Sequence, residues 1–105
     1  MEETTRCETI EEARNKALRW LEEVGGPIGP YYQVEIGRLH AGEGAEVGIS
    51  SSEDPYRRIR LDYDPVKGPH YNVEVGKASK RRKHAFCFPG TEEWITRIIQ
   101  RRAPR

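Results

Sequence analysis

"RIRLDYDPVKGPHYNVEVGK", residues 58 to 77, contains two runs of alternating apolar and polar side chains, separated by Asp64-Pro65 and Gly68-Pro69. Alternation at a period of two marks a strand with one buried face. Prolines and glycines between two such runs mark a turn. In the first run Ile59, Leu61 and Tyr63 share one face, and Arg58, Arg60 and Asp62 share the other. The stretch therefore predicts sheet. It places Lys67 and His70 in or beside the turn, with Lys77 just past the second strand.

Working outward, "EVGIS" (46–50) alternates in the same way, and the turn-rich Ser51 to Pro55 predicts a hairpin with the run that follows. Tyr31 to Ile36 reads as a short strand bounded by Pro27, Pro30 and Gly37, followed by a loop at Ala41-Gly42-Glu43-Gly44 beside His40. Downstream, "HAFCF" (84–88) is a last strand, stopped by Pro89-Gly90. Helices flank the strands. In "TIEEARNKALRWLEEVGG" (9–26), Thr9 and Glu12 form a capping box, and Ala13, Ala17, Trp20, Leu21 and Val24 recur on one helical face. Gly25-Gly26-Pro27 ends the helix. Thr91 caps a final helix that has Glu92 and Glu93 in its first turn and Trp94, Ile95, Ile98 and Ile99 as its apolar stripe. The expected fold is α+β: an N-terminal helix packed on a twisted antiparallel sheet of four to five strands, with a C-terminal amphipathic helix, all in one domain over residues 1–105.

Composition fits one modest core, with 35% hydrophobic and 33% charged residues in 105. There is no apolar run long enough to span a bilayer and no basic-then-apolar leader, so the expectation is a soluble chain without membrane insertion or signal peptide. Cys7 and Cys87 fit no metal spacing, and two unpaired thiols are expected in preference to a disulfide. The net charge of +1 hides a polarised chain. Residues 1–54 carry 5 Lys/Arg against 12 Asp/Glu, and residues 55–105 carry 13 against 5, so the halves are −7 and +8. Such asymmetry points to an anionic partner for the C-terminal half, or to two halves that attract each other.

"KASKRRKH" (77–84) reads as an exposed hairpin loop in which Lys77, Lys80, Arg81, Arg82 and Lys83 would meet phosphates, with His84 a second acid/base or simply part of the loop. His70 is the sharpest single residue. Lys67, Arg60 and Lys77 are cations able to gather around one phosphate, while a histidine takes the proton of a ribose 2′-hydroxyl. Such cleavage needs no metal or other cofactor and yields a 2′,3′-cyclic phosphate and a 5′-hydroxyl. Tyr71 is placed to stack on a base or to fill the rim of the core; Trp20, Trp94, Phe86 and Phe88 are core. Competing chemistries lack their motifs: there is no His-x-Glu with Cys-x-x-Cys of a zinc deaminase, no P-loop and no nucleophile elbow. Asp62 and Asp64 share a strand face but have no evident third metal ligand.

With these elements in order, the chain resembles the C-terminal toxin domains of bacterial polymorphic and contact-dependent inhibition effectors. The resemblance runs from Glu11 to Arg101. It rests on the "EEAR" helix, "IGRL", the arginine-bearing strand ending in Tyr63-Asp64, "HYNV", Gly76-Lys77, "FCFPG" and the closing helix. These domains are similar to ribonucleases of the barnase, EndoU, colicin and RelE type. The resemblance implies a monomeric, metal-independent endoribonuclease toxin acting on RNA, tRNA in particular. It would be delivered into the cytoplasm of a target cell and neutralised by a cognate immunity protein. Carried over by motif, His70 is the general base or acid, and Arg60 and Lys77 neutralise the scissile phosphate with help from Lys67. Asn72 fixes the turn or orients His70, and Tyr71, Lys80, Arg81, Arg82, Lys83 and His84 hold the substrate. The alternative is a non-catalytic module that binds RNA or protein through the same basic edge.

Overall fold

The computed structural model describes residues 2–26, 32–36, 46–51 and 56–102, with side chains described for 2–26 and 56–98. The expected loop at 41–44, His40 and the turn at 52–55 lie outside the described residues. The elements run β1 (Glu2–Arg6), α1 (Ile10–Gly25), β2 (Tyr32–Ile36), β3 (Glu46–Ser51), β4 (Arg57–Asp64), β5 (Gly68–Val75), a 3-10 turn (Ala78–Lys80), β6 (Arg82–Cys87) and α2 (Glu92–Arg102).

Strands β2 to β6 form a meander in which each strand pairs antiparallel with the next. This is the α+β arrangement expected from the sequence, with one addition. A sixth strand, β1, pairs parallel with β6, giving the order β1-β6-β5-β4-β3-β2. β1 is short and mostly exposed, so it has no apolar alternation to announce it. Its place is set by backbone pairing from Glu2 opposite Lys83 to Arg6 opposite Cys87.

Thr9 caps α1 by accepting the Glu12 amide at 3.1 Å. The Glu12 carboxylate reaches back to the Glu8 amide at 2.9 Å, one residue beyond the usual capping-box partner. Ala13, Ala17 and Leu21 have no exposed surface. Two alanines on the packing face let the helix lie close to the sheet. Its partners are β4, β5 and β6, which contribute Ile59, Leu61, Tyr71, Val73 and Phe86 to the core, with Phe88 just past the end of β6. Thr91 caps α2 by accepting the Trp94 amide, and α2 adds Ile95 to the same core. Trp94, expected in the core, is 38% exposed and meets Phe88 edge-on. Among the described residues no helix is long and apolar enough to cross a membrane.

The turn that joins β4 to β5 is locally determined. Asp64 Oδ1 accepts the amides of Val66 and Lys67 at 2.9 and 2.6 Å, an Asx-type turn, and Gly68 supplies a φ of +72°. The Lys67 amide holds the Asp64 carboxyl below its ordinary 3.8; burial opposes this, and the Val66 amide and the charges of His70 and Lys67 assist. This turn fixes the register in which the next side chains meet.

Candidate active site

The β4–β5 register sets Asp62 opposite His70 and Arg60 opposite Asn72, all four on the sheet face turned away from α1. Extended across β6 and β1, it makes three transverse rows on that face. They are Arg58, Glu74, Lys83, Glu2; then Arg60, Asn72, Ala85, Thr4; then Asp62, His70, Cys87, Arg6.

Arg60, Asp62 and His70 are buried at 7%, 5% and 3% exposure. Arg60 Nε donates to both Asp62 carboxylate oxygens, at 3.0 and 2.9 Å. Among the described residues its two terminal nitrogens carry no hydrogen bond, so the fork keeps donors for a further acceptor. His70 Nδ1 lies 2.9 Å from the Gly68 carbonyl oxygen. A carbonyl only accepts, so in the neutral ring Nδ1 carries the proton and Nε2 the lone pair, the arrangement a general base requires. Asn72 Oδ1 is buried without a hydrogen-bond partner among the described residues.

Lys67 Nζ lies 2.9 Å from Glu2 and 3.9 Å from Asp64, tying the β4–β5 turn to the edge strand β1. Burial lowers the Lys67 pKa, but the hydrogen bond and charge of Glu2, with Asp64, outweigh it and raise the value above 10.5. Lys67 therefore stays charged at neutral pH and serves as a fixed cation. Cys87 stands opposite His70, yet burial pushes its thiol above the ordinary 9.0, and Cys7 is raised by burial too. Both thiols are free, and neither has the lowered pKa of a nucleophile.

Other expected site residues lie elsewhere. Lys77 does not join His70. Five residues of strand, about 17 Å, separate His70 from Val75, and Lys77 lies beyond that. There its ammonium sits 5.6 Å from the centre of the Tyr56 ring. Tyr71 is on the opposite face from His70, 8% exposed and packed 5.9 Å from the Phe88 ring, so it fills the core and offers no platform to a base.

The basic run is not one loop. It leaves the 3-10 turn and enters β6 at Arg82, and strand alternation then divides it between two faces. Arg81 and Lys83 turn to Glu74, on the His70 face, at 3.7 and 3.8 Å. Arg82 and His84 turn to the α1 face, where Arg82 lies 5.3 Å from the Trp20 ring and His84 stacks on Phe86 at 4.1 Å. Lys80 remains exposed in the turn.

His84 therefore belongs to the packing of β1 and α1 on β6. Its Nε2 is 2.6 Å from Thr5 Oγ1, and its Nδ1 is 3.1 Å from Glu3 without an aligned hydrogen bond. Burial pulls its pKa below the ordinary 6.5, Glu3 opposes this, and Arg82 adds to the lowering. A histidine depressed in the folded state binds its proton more readily when unfolded, so its stability contribution is full above about pH 6.5 and declines as pH falls toward the folded value. Urea unfolding measured from pH 7.5 to pH 5 is expected to show this decline, and His84→Gln is expected to flatten it.

Asp62 and Glu74 are the buried carboxylates of this face, and the sequence reading gave neither of them a part in the candidate site. Both were within reach of the sequence: the turn at 64–68 dictates that Arg60 and Asp62 face Asn72 and His70, and that Arg58 faces Glu74. Among the described residues no group of three or more His, Cys, Asp or Glu is placed to hold a metal ion. Comparison with protein-family models gives no match, and neither does comparison with curated proteins.

Proposed function

We propose that the chain is a metal-independent endoribonuclease of the interbacterial-toxin type, acting on RNA and on tRNA in particular. The observation that carries this reading is the β4–β5 register, which gathers Arg60, Asp62, His70 and Asn72 into one block. In the proposed reaction His70 Nε2 takes the proton of a ribose 2′-hydroxyl, and the 2′ oxygen attacks the adjacent phosphorus. The bond from phosphorus to the 5′ oxygen breaks, the leaving oxygen takes a proton from water, and the hydroxide left is neutralised by the proton that His70 holds. The free nitrogens of Arg60, and Lys67 at the turn, offset the charge that develops on the phosphate oxygens. Asp62 fixes the guanidinium, and the unpartnered Asn72 oxygen is available to a donor such as a ribose hydroxyl. Lys77 lies outside this block and acts only by attracting the RNA backbone. Delivery into a target-cell cytoplasm and neutralisation by an immunity protein are parts of the same proposal.

The reading is tested by the ends of the products. A 2′,3′-cyclic phosphate and a 5′-hydroxyl are expected, and a 5′-phosphate product contradicts the mechanism. A second reading, a module that binds RNA or protein without cutting, is favoured by the 3% exposure of His70, because a base must touch the hydroxyl it deprotonates. Saturable RNA binding with no product would decide for it.

A further inference from the structure

Glu74 is a carboxylate at 5% exposure in the row Arg58, Glu74, Lys83, Glu2. Its Oε2 accepts from Arg58 Nε at 3.1 Å. Arg81 Nη1 and Lys83 Nζ approach Oε1 at 3.7 and 3.8 Å, beyond hydrogen-bond length, so neither cation spends a hydrogen bond on Glu74. Arg81 and Lys83 thus bring two cations to a carboxylate that Arg58 already engages. The other acid of the row, Glu2, is engaged by Lys67 at 2.9 Å.

A cleft of about 500 Å³ opens beside this cluster, lined by Glu2, Ala78, Ser79, Arg81 and Lys83. The turn forming its wall is held to one shape. Gly76 has a φ of +98°, and a Cβ there would lie 2.6 Å from the Lys80 carbonyl oxygen, so no larger residue fits. Ala78 adopts a φ of +53°, a left-handed conformation that is unfavourable for a residue with a Cβ.

We propose that this cleft binds a phosphodiester of single-stranded RNA. Arg81 and Lys83 donate to its non-bridging oxygens, and Glu74 acts as a buried counterion that aims both cations. The cleft lies on the same sheet face as His70, and Glu74 is about 13 Å from it along β5. The site therefore holds a phosphate other than the one being cleaved. Only that last assignment rests on the ribonuclease reading; binding itself does not.

The test is fluorescence anisotropy of labelled dT12, which lacks the 2′-hydroxyl and cannot be cut by this chemistry, titrated at several salt concentrations. Each phosphate neutralised on a single strand contributes about 0.7 to the slope of log affinity against log salt, so Arg81→Gln with Lys83→Gln, which empties one phosphate site, is expected to lower the slope by about 0.7. The triple variant that adds Glu74→Gln removes the carboxylate together with Arg81 and Lys83, leaves Arg58 a side-chain amide oxygen as acceptor, and is expected to show the same loss. Glu2→Gln, which removes the opposing acid from the cleft wall, is expected to tighten binding. Arg14→Gln with Arg19→Gln, on the exposed side of α1, is expected to leave the slope unchanged. An unchanged slope in the cleft variants, or an equal loss in the α1 pair, overturns the proposal. Failure of the ribonuclease reading is seen separately, as intact RNA in a cleavage assay with the slope loss still present.

Discussion

His70→Ala is expected to slow RNA cleavage by about 10²–10⁴-fold, the usual contribution of a positioned general acid or base. His70 Nδ1 donates to the Gly68 carbonyl, so the imidazole is anchored at one nitrogen and keeps its lone pair on the other. Removing the ring also empties a buried position in a strand, and lost activity alone would not separate chemistry from folding. His70→Asn makes the separation, because its side-chain amide can still donate to Gly68 while offering no base of suitable pKa. It is expected to recover thermal stability relative to His70→Ala without recovering the rate. Single-turnover cleavage of tRNA, with thermal unfolding measured on the same preparations, reads both quantities. A His70→Asn protein that cuts at the wild-type rate would remove His70 from the mechanism.

The second large effect is expected at Asp62. Its two carboxylate oxygens accept the Arg60 Nε–H, and both residues are less than a tenth exposed. Asp62→Ala leaves a buried guanidinium without its counter-charge, an error that typically costs about 3–5 kcal/mol. A domain of this size has only about 5–15 kcal/mol to lose. Urea unfolding of Asp62→Ala is therefore expected to show a loss of about that size. The pair itself, weighed against apolar side chains of similar volume, is worth little, because desolvation offsets the attraction. Arg60→Met with Asp62→Leu is accordingly expected to lie close to wild type in stability while lacking cleavage activity. A loss below about 1 kcal/mol in Asp62→Ala would mean that water reaches the pair and screens it.

The sequence made the sheet legible where one face is apolar. Ile59, Leu61 and Tyr63 alternate with arginines and Asp62, and the Asp64–Gly68 turn determines which residues of β5 they meet. Both helices were legible from their caps and apolar stripes. β1 was not, because Glu-Glu-Thr-Thr-Arg buries little and is held by its ladder to β6. The site was legible in part, for the same physical reason. His70, Arg60 and Asn72 fall on one face by strand period, and Asp62 follows once the turn is known. Tyr71 adjoins His70 in sequence and so points to the opposite face, into the core. The run at 80–83 reads as a single patch until β6 begins at Arg82 and alternation sends Arg82 and Lys83 to different sides. Lys77 is close to His70 in sequence only; a fully extended strand carries it away.

The central claim is metal-free cleavage of RNA at His70. The direct measurement is incubation of the purified protein with total bacterial tRNA in EDTA, with His70→Ala alongside, and resolution of the products by size and by end group. The account predicts discrete fragments ending in a 2′,3′-cyclic phosphate from the wild type and intact RNA from the variant. Intact RNA from both proteins, or the same fragments from both, would contradict it.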